Sequence, residues 1–148
     1  MKIEGLNGSI EFEPIEARRN IDYDALEEVR RTRFTFPWQK RDEPSERVNR
    51  LYDEAPIQNI LPGALINHKN NQHSFSLPVE ELEKLILVLQ DKGSFYYHDG
   101  SRSQLEVTWV NNSCVIRVTD TALTRVFTEI LFTESVVIEM YTLLAAMT

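Results

Sequence analysis

The stretch "LEVTWVNNSCVIRV", Leu105–Val118, folds back on itself about Asn111-Asn112. Asparagine tolerates the positive φ that both central positions of a two-residue hairpin turn require. About that turn Leu105, Val107 and Trp109 face Val118, Ile116 and Cys114 on one side, and Glu106 faces Arg117 on the other. One apolar face backed by a matched charge pair specifies the register, because a one-residue slip would turn every side chain over. A strand precedes this hairpin, "SFYYH" (94–98), ending in an Asp99-Gly100 turn, and another follows, "RVFTEILF" (125–132). The period then changes. From Glu134 a helix runs on, apolar on most sides except at Glu139 and Thr142. Such a helix is expected to be buried, within the fold or against a second copy.

The first half repeats this plan with an interruption. Asn7-Gly8 predicts a hairpin that sets Ile3 opposite Phe12, Gly5 opposite Ile10 and Lys2 opposite Glu13. The same register sets Glu4 against Glu11, an unfavourable like-charge pair. "GALINHKNNQHSFSL" (63–77) reads as a second hairpin about Asn70-Asn71, with His68 facing His73, Ile66 facing Phe75 and Ala64 facing Leu77. "PVEELEKLILVLQDKG" (78–93) reads as a helix. Pro78 starts it, Glu80 and Glu81 suit its first turn, and Gly93 lies just past its end. Leu82, Leu85, Ile86 and Leu89 form its apolar stripe. Between the hairpins, residues 14–61 read as a helical insertion. Asp22 caps its first helix, which runs to about Thr32, with Ile21 and Leu26 as a hydrophobic staple. Its second helix starts near Pro44, carries Val48, Leu51, Tyr52 and Ala55 on one face, and stops at Pro56.

The two strand-to-helix junctions align. "FSLPVEELEKLILVL" (75–89) lies over "ILFTESVVIEMYTLL" (130–144), matching Phe75 with Ile130, Leu77 with Phe132, Leu82 with Val137 and Leu85 with Met140 in apolar character. The fold expected is therefore α+β, with antiparallel sheet built from two ββββα units and the helical insertion in the first. The chain reads as a single domain over 1–148, with a pseudo-repeat of 1–93 (insertion included) and 94–148. This element order resembles the Whirly family of single-stranded-DNA-binding proteins, and the related transcriptional positive cofactor type that dimerises one such unit. The resemblance implies a binding fold and carries no binding residue over to this chain.

Composition narrows the function. The chain has 148 residues, net charge −7 and 42% hydrophobic residues, enough for a buried core. "MKIEGLNGSIEFE" has no apolar stretch of the secretory kind, and no segment reaches membrane-spanning length. A lone cysteine, Cys114, leaves no internal disulfide, so a reducing, cytoplasmic setting is expected. No Gly-rich phosphate loop and no flanked Ser or Cys nucleophile occurs, so a non-enzymatic binding protein without cofactor is expected.

The candidate contact is "RRTRFTFPWQKR", Arg30–Arg41, which gathers five basic residues and no acidic one within an acidic chain. Arg30, Arg31, Arg33, Lys40 and Arg41 suit phosphates, and Phe34, Phe36 and Trp38 suit base stacking, the two ingredients of single-stranded nucleic-acid binding. Their structural explanation is also at hand: positive charge is favourable at a helix C-terminus, and aromatics cover sheets. The other expectation is a protein–protein module, an inhibitor, immunity or adaptor protein, whose acidity meets a basic partner. His68 and His73, if paired across a hairpin, would offer two ligands of a metal site that needs three or four. Cys114 alternates with Ile116 and Val118 and reads as a core thiol.

Overall fold

The computed structural model describes residues 1–31, 44–67, 71–98, 103–121 and 126–148. In chain order the elements are β1 (Lys2–Glu4), β2 (Gly8–Phe12), β3 (Glu16–Arg19), α1 (Tyr23–Arg31), α2 (Pro44–Glu54), β4 (Ile57–Asn67), β5 (Gln72–Pro78), α3 (Val79–Asp91), β6 (Phe95–His98), β7 (Ser103–Val110), β8 (Ser113–Asp120), β9 (Val126–Phe132) and α4 (Glu134–Met147). The fold is α+β with antiparallel sheets. The chain divides into two units, Met1–Glu16 with Asn59–Thr148, and Ala17–Gln58.

In the larger unit β1, β2, β4 and β5 are successive antiparallel neighbours, followed by α3. β6, β7, β8 and β9 form the second sheet in chain order, followed by α4. The β7–β8 hairpin has the expected register, with Leu105 opposite Val118, Trp109 opposite Cys114 and Glu106 opposite Arg117. Asn111 and Asn112 take φ of 48° and 65°, the left-handed pair that a tight hairpin needs. One apolar cluster joins both sheets and both helices. α3 buries Leu82, Leu85 and Leu89, with Ile86 half-buried at the rim of the stripe, and α4 buries Val137, Met140 and Leu144. α4 thus buries one stripe inside its own unit and not most of its circumference as its sequence suggested, leaving Ile138 49% exposed. α3 ends on Lys92 in the left-handed conformation, with Gly93 N–H donating to the Val88 carbonyl at 3.2 Å.

Two hairpins depart from the expected register. In the first, Ile3 pairs with Ile10, Lys2 with Glu11 and Glu4 with Ser9, so Leu6-Asn7 occupy the turn rather than Asn7-Gly8. The slip is by two residues, so Ile3, Ile10 and Phe12 keep their common face. It also removes the Glu4–Glu11 clash and sets Lys2 against Glu11. The larger cause is non-local. Asn7 uses both ends of its side-chain amide on the edge of β9, accepting from the Leu131 N–H and donating to the Glu129 carbonyl, each at 2.9 Å. Leu6 N–H adds a bond to the Leu131 carbonyl at 2.8 Å. The flanking glycines permit that approach. A Cβ on Gly5 would lie 2.6 Å from Ile130 Cγ2, and one on Gly8 would lie 2.9 Å from Ile130 Cδ1.

In the second hairpin Leu65 pairs with His73, Gly63 with Phe75 and Leu61 with Leu77, three positions from the predicted register. The predicted facing of Ile66 with Phe75 and Ala64 with Leu77 does not form, and His68, the predicted partner of His73, lies outside the described residues. Among the described residues the same register continues to Asn67 N–H, which donates to the Asn71 carbonyl at 3.0 Å. Two effects favour this register. Leu61, Leu65, Phe75 and Leu77 all reach the core, and the Phe75 ring lies over Gly63, where any side chain would collide with it. β4 also begins well before the predicted hairpin and runs through Pro62. The Pro62 carbonyl accepts from Glu13 N–H at 3.0 Å, just beyond the last β2 partner, and the reciprocal bond that proline cannot donate coincides with the end of the β2–β4 ladder.

In the smaller unit Asp22 caps α1 as expected, its Oδ1 accepting from the N–H of Asp24 and of Ala25, each at 3.1 Å. Leu26 and Val29 are buried. α2 starts at Pro44, and Val48, Leu51 and Ala55 are half-buried, but Tyr52 stands 40% exposed at the edge of the predicted stripe. A tyrosine there keeps its hydroxyl in water. β3, fully exposed, was not expected. It carries Arg19, whose Nη1 donates to the Asp53 carbonyl at 2.8 Å and the Ala55 carbonyl at 3.2 Å, closing the end of α2.

Gly5→Ala is expected to lower the unfolding free energy by about 1–3 kcal/mol through overpacking, and Asn7→Ala by about 1–3 kcal/mol through unpaired strand-edge groups. Gly93→Ala, where a Cβ would meet only Val88 at 3.8 Å, should change it by under about 1 kcal/mol. Urea denaturation measures all three.

Candidate functional site: the outer face of the second sheet

Arg30 and Arg31 close the last turn of α1. Arg33, Phe34, Phe36, Trp38, Lys40 and Arg41 lie outside the described residues. Charge can still be apportioned between the units. Ala17–Gln58 holds nine Lys and Arg against nine Asp and Glu, and is neutral; the remaining residues hold seven against fourteen, the whole net charge of −7. The basic run therefore sits in a balanced unit, and the acidity belongs to the paired ββββα unit.

Of the two histidines named as metal candidates, one can be placed. His68 lies outside the described residues. His73 faces Leu65 on β4, and its Nδ1 shares a hydrogen bond with the hydroxyl of Thr128 on β9. Among the described residues no group of three His, Cys, Asp or Glu side chains could hold a metal ion. Trp109 and Tyr97 pack against the core, as does Cys114. Lys92 lies over the Trp109 ring, 5.7 Å from its centroid, and reaches Asn112 Oδ1 at 3.1 Å and Glu134 Oε1 at 3.2 Å. The cation there is engaged in tying α3, the β7–β8 turn and α4 together.

The alternation that buries one face of the β6–β9 sheet leaves the other to solvent. One row crosses all its strands: Tyr96 opposite Glu106, Glu106 opposite Arg117, Arg117 opposite Glu129. The next row runs His98, Gln104, Thr119, Phe127. Tyr96 is 57% exposed and Phe127 52%. Arg117 does not pair with Glu106, as its hairpin register suggested. Its Nε and Nη2 both donate to Glu129 Oε2, at 2.8 and 2.5 Å, and its guanidinium lies 4.6 Å from the Phe127 ring centroid. Two partners on β9, a carboxylate and a ring face, outbid one carboxylate on β7. Glu106 is left with the Gln104 amide at 3.5 Å. The grouping of Tyr96, Glu106, Phe127 and Glu129 on one face follows from cross-strand registry that spans all four strands.

Compared with family models, curated proteins and solved structures, the chain matches none. Among the described residues no helix is long and apolar enough to cross a membrane.

Cys114 is fully buried, and burial pushes its thiol from 9.0 up to about 12. It should resist a thiol reagent at pH 8 in native protein and react on denaturation, as mass spectrometry would show. The folded thiol holds its proton where the unfolded one releases it, so this group's contribution to stability falls as pH rises from 9.0 toward about 12.

Proposed function

We propose that the chain is a non-enzymatic binding protein whose paired ββββα unit receives a basic protein segment on the outer face of β6–β9. The observation that carries this is the coincidence of charge and exposure. The unit bearing the whole net charge of −7 presents a sheet face that carries, among the described residues, two exposed rings and more carboxylates than cations. Such a face attracts cations over a distance and offers them ring faces at contact. The acidity of this unit repels polyanions, so nucleic acid is not its natural ligand.

A second reading rests on a different observation. Ala17–Gln58 is neutral and holds the five basic residues of Arg30–Arg41. That segment could contact single-stranded nucleic acid or another anionic partner, in keeping with the element order that resembles Whirly proteins.

Fluorescence anisotropy separates the two. A labelled arginine–serine repeat peptide is expected to bind with Kd on the order of 10 µM at low salt, and a glutamate–serine peptide not at all. If the basic peptide fails to bind while oligo-dT binds with steep salt dependence, and loses binding in the R31A/R33A/W38A variant, the second reading replaces the first.

A further inference from the structure

On the outer face of β6–β9 one arginine already shows how this surface holds a guanidinium. Arg117 is gripped by a carboxylate, Glu129, and by a ring face, Phe127. The other side of the row offers the same two groups to solvent. Tyr96 and Glu106 are direct cross-strand partners, which places their Cβ atoms about 4.5–5.5 Å apart. Tyr96 is 57% exposed. Glu106 is half-buried, and among the described residues it has no cation at ion-pair distance, only the Gln104 amide at 3.5 Å. A half-buried carboxylate is less screened by water, so an ion pair made there is stronger than on an open helix surface.

We infer that Tyr96 and Glu106 form a receptor for an arginine side chain of a protein partner. The guanidinium stacks on the Tyr96 ring while its N–H fork donates to the Glu106 carboxylate. Arginine suits the pair better than lysine, because its planar fork serves both contacts at once and sheds water more readily. The assignment rests on the basic-partner reading and adds to it the residue type recognised and the two side chains that recognise it.

The test uses the full chain and the arginine–serine peptide. Glu106→Gln and Tyr96→Ala should each raise Kd about tenfold. Glu83→Gln on α3 removes the same unit of charge from an exposed helix face and should raise it less than about twofold. Replacing arginine by lysine in the peptide should weaken binding to native protein about threefold, and this preference should vanish in Tyr96→Ala. Glu106→Gln keeps shape, and its unchanged melting temperature would show that the fold is intact. If native protein binds the peptide but Glu106→Gln weakens it no more than Glu83→Gln, the receptor assignment is overturned while the basic-partner reading stands. If native protein does not bind the peptide, the basic-partner reading itself falls.

Discussion

The contact between the β1–β2 turn and the edge of β9 governs much of the larger unit. Asn7 acts there as a short piece of strand, its amide supplying one donor and one acceptor to the β9 backbone. Exposed strand edges invite unwanted pairing, and a side-chain amide in register satisfies the edge without adding a strand. The contact requires backbone to approach backbone, which is why Gly5 and Gly8 flank it. It also sets the hairpin register. Once Asn7 must point at β9, Leu6-Asn7 become the turn, and the pairing of Ile3 with Ile10 follows. The β1–β2 turn is thereby tied to residues more than a hundred positions away.

What was legible in the sequence was what neighbouring residues determine. The β7–β8 hairpin could be read because its turn chemistry and its alternation agree. The α1 cap, the start of α3 and the start of α4 are likewise local. The missed registers depend on distant partners: the β9 edge in one hairpin, and in the other the packing of Phe75 over Gly63 together with a strand that continues through Pro62. β3 carries no periodic signal because all of it is exposed. At the site, Glu106 and Arg117 could be placed opposite each other, but Arg117's choice of Glu129 could not, since that competition involves β9. The basic aromatic segment drew attention for its composition, whereas the described surface with exposed rings lies on another unit.

The division of charge changes how the molecule as a whole is to be understood. An isoelectric point near 5.0 averages two unlike parts. At neutral pH Ala17–Gln58 contributes no net charge, so the long-range potential comes from the larger unit. Within about a Debye length, roughly 8 Å at physiological salt, the insertion's local basic run is felt in its own right. A partner approaching from solution would therefore first sense an acidic protein, although nine of its sixteen Lys and Arg lie in the neutral unit. Bulk measures such as electrophoretic mobility report the first property and are blind to the second, so the chain's acidity is no guide to what its smaller unit can hold.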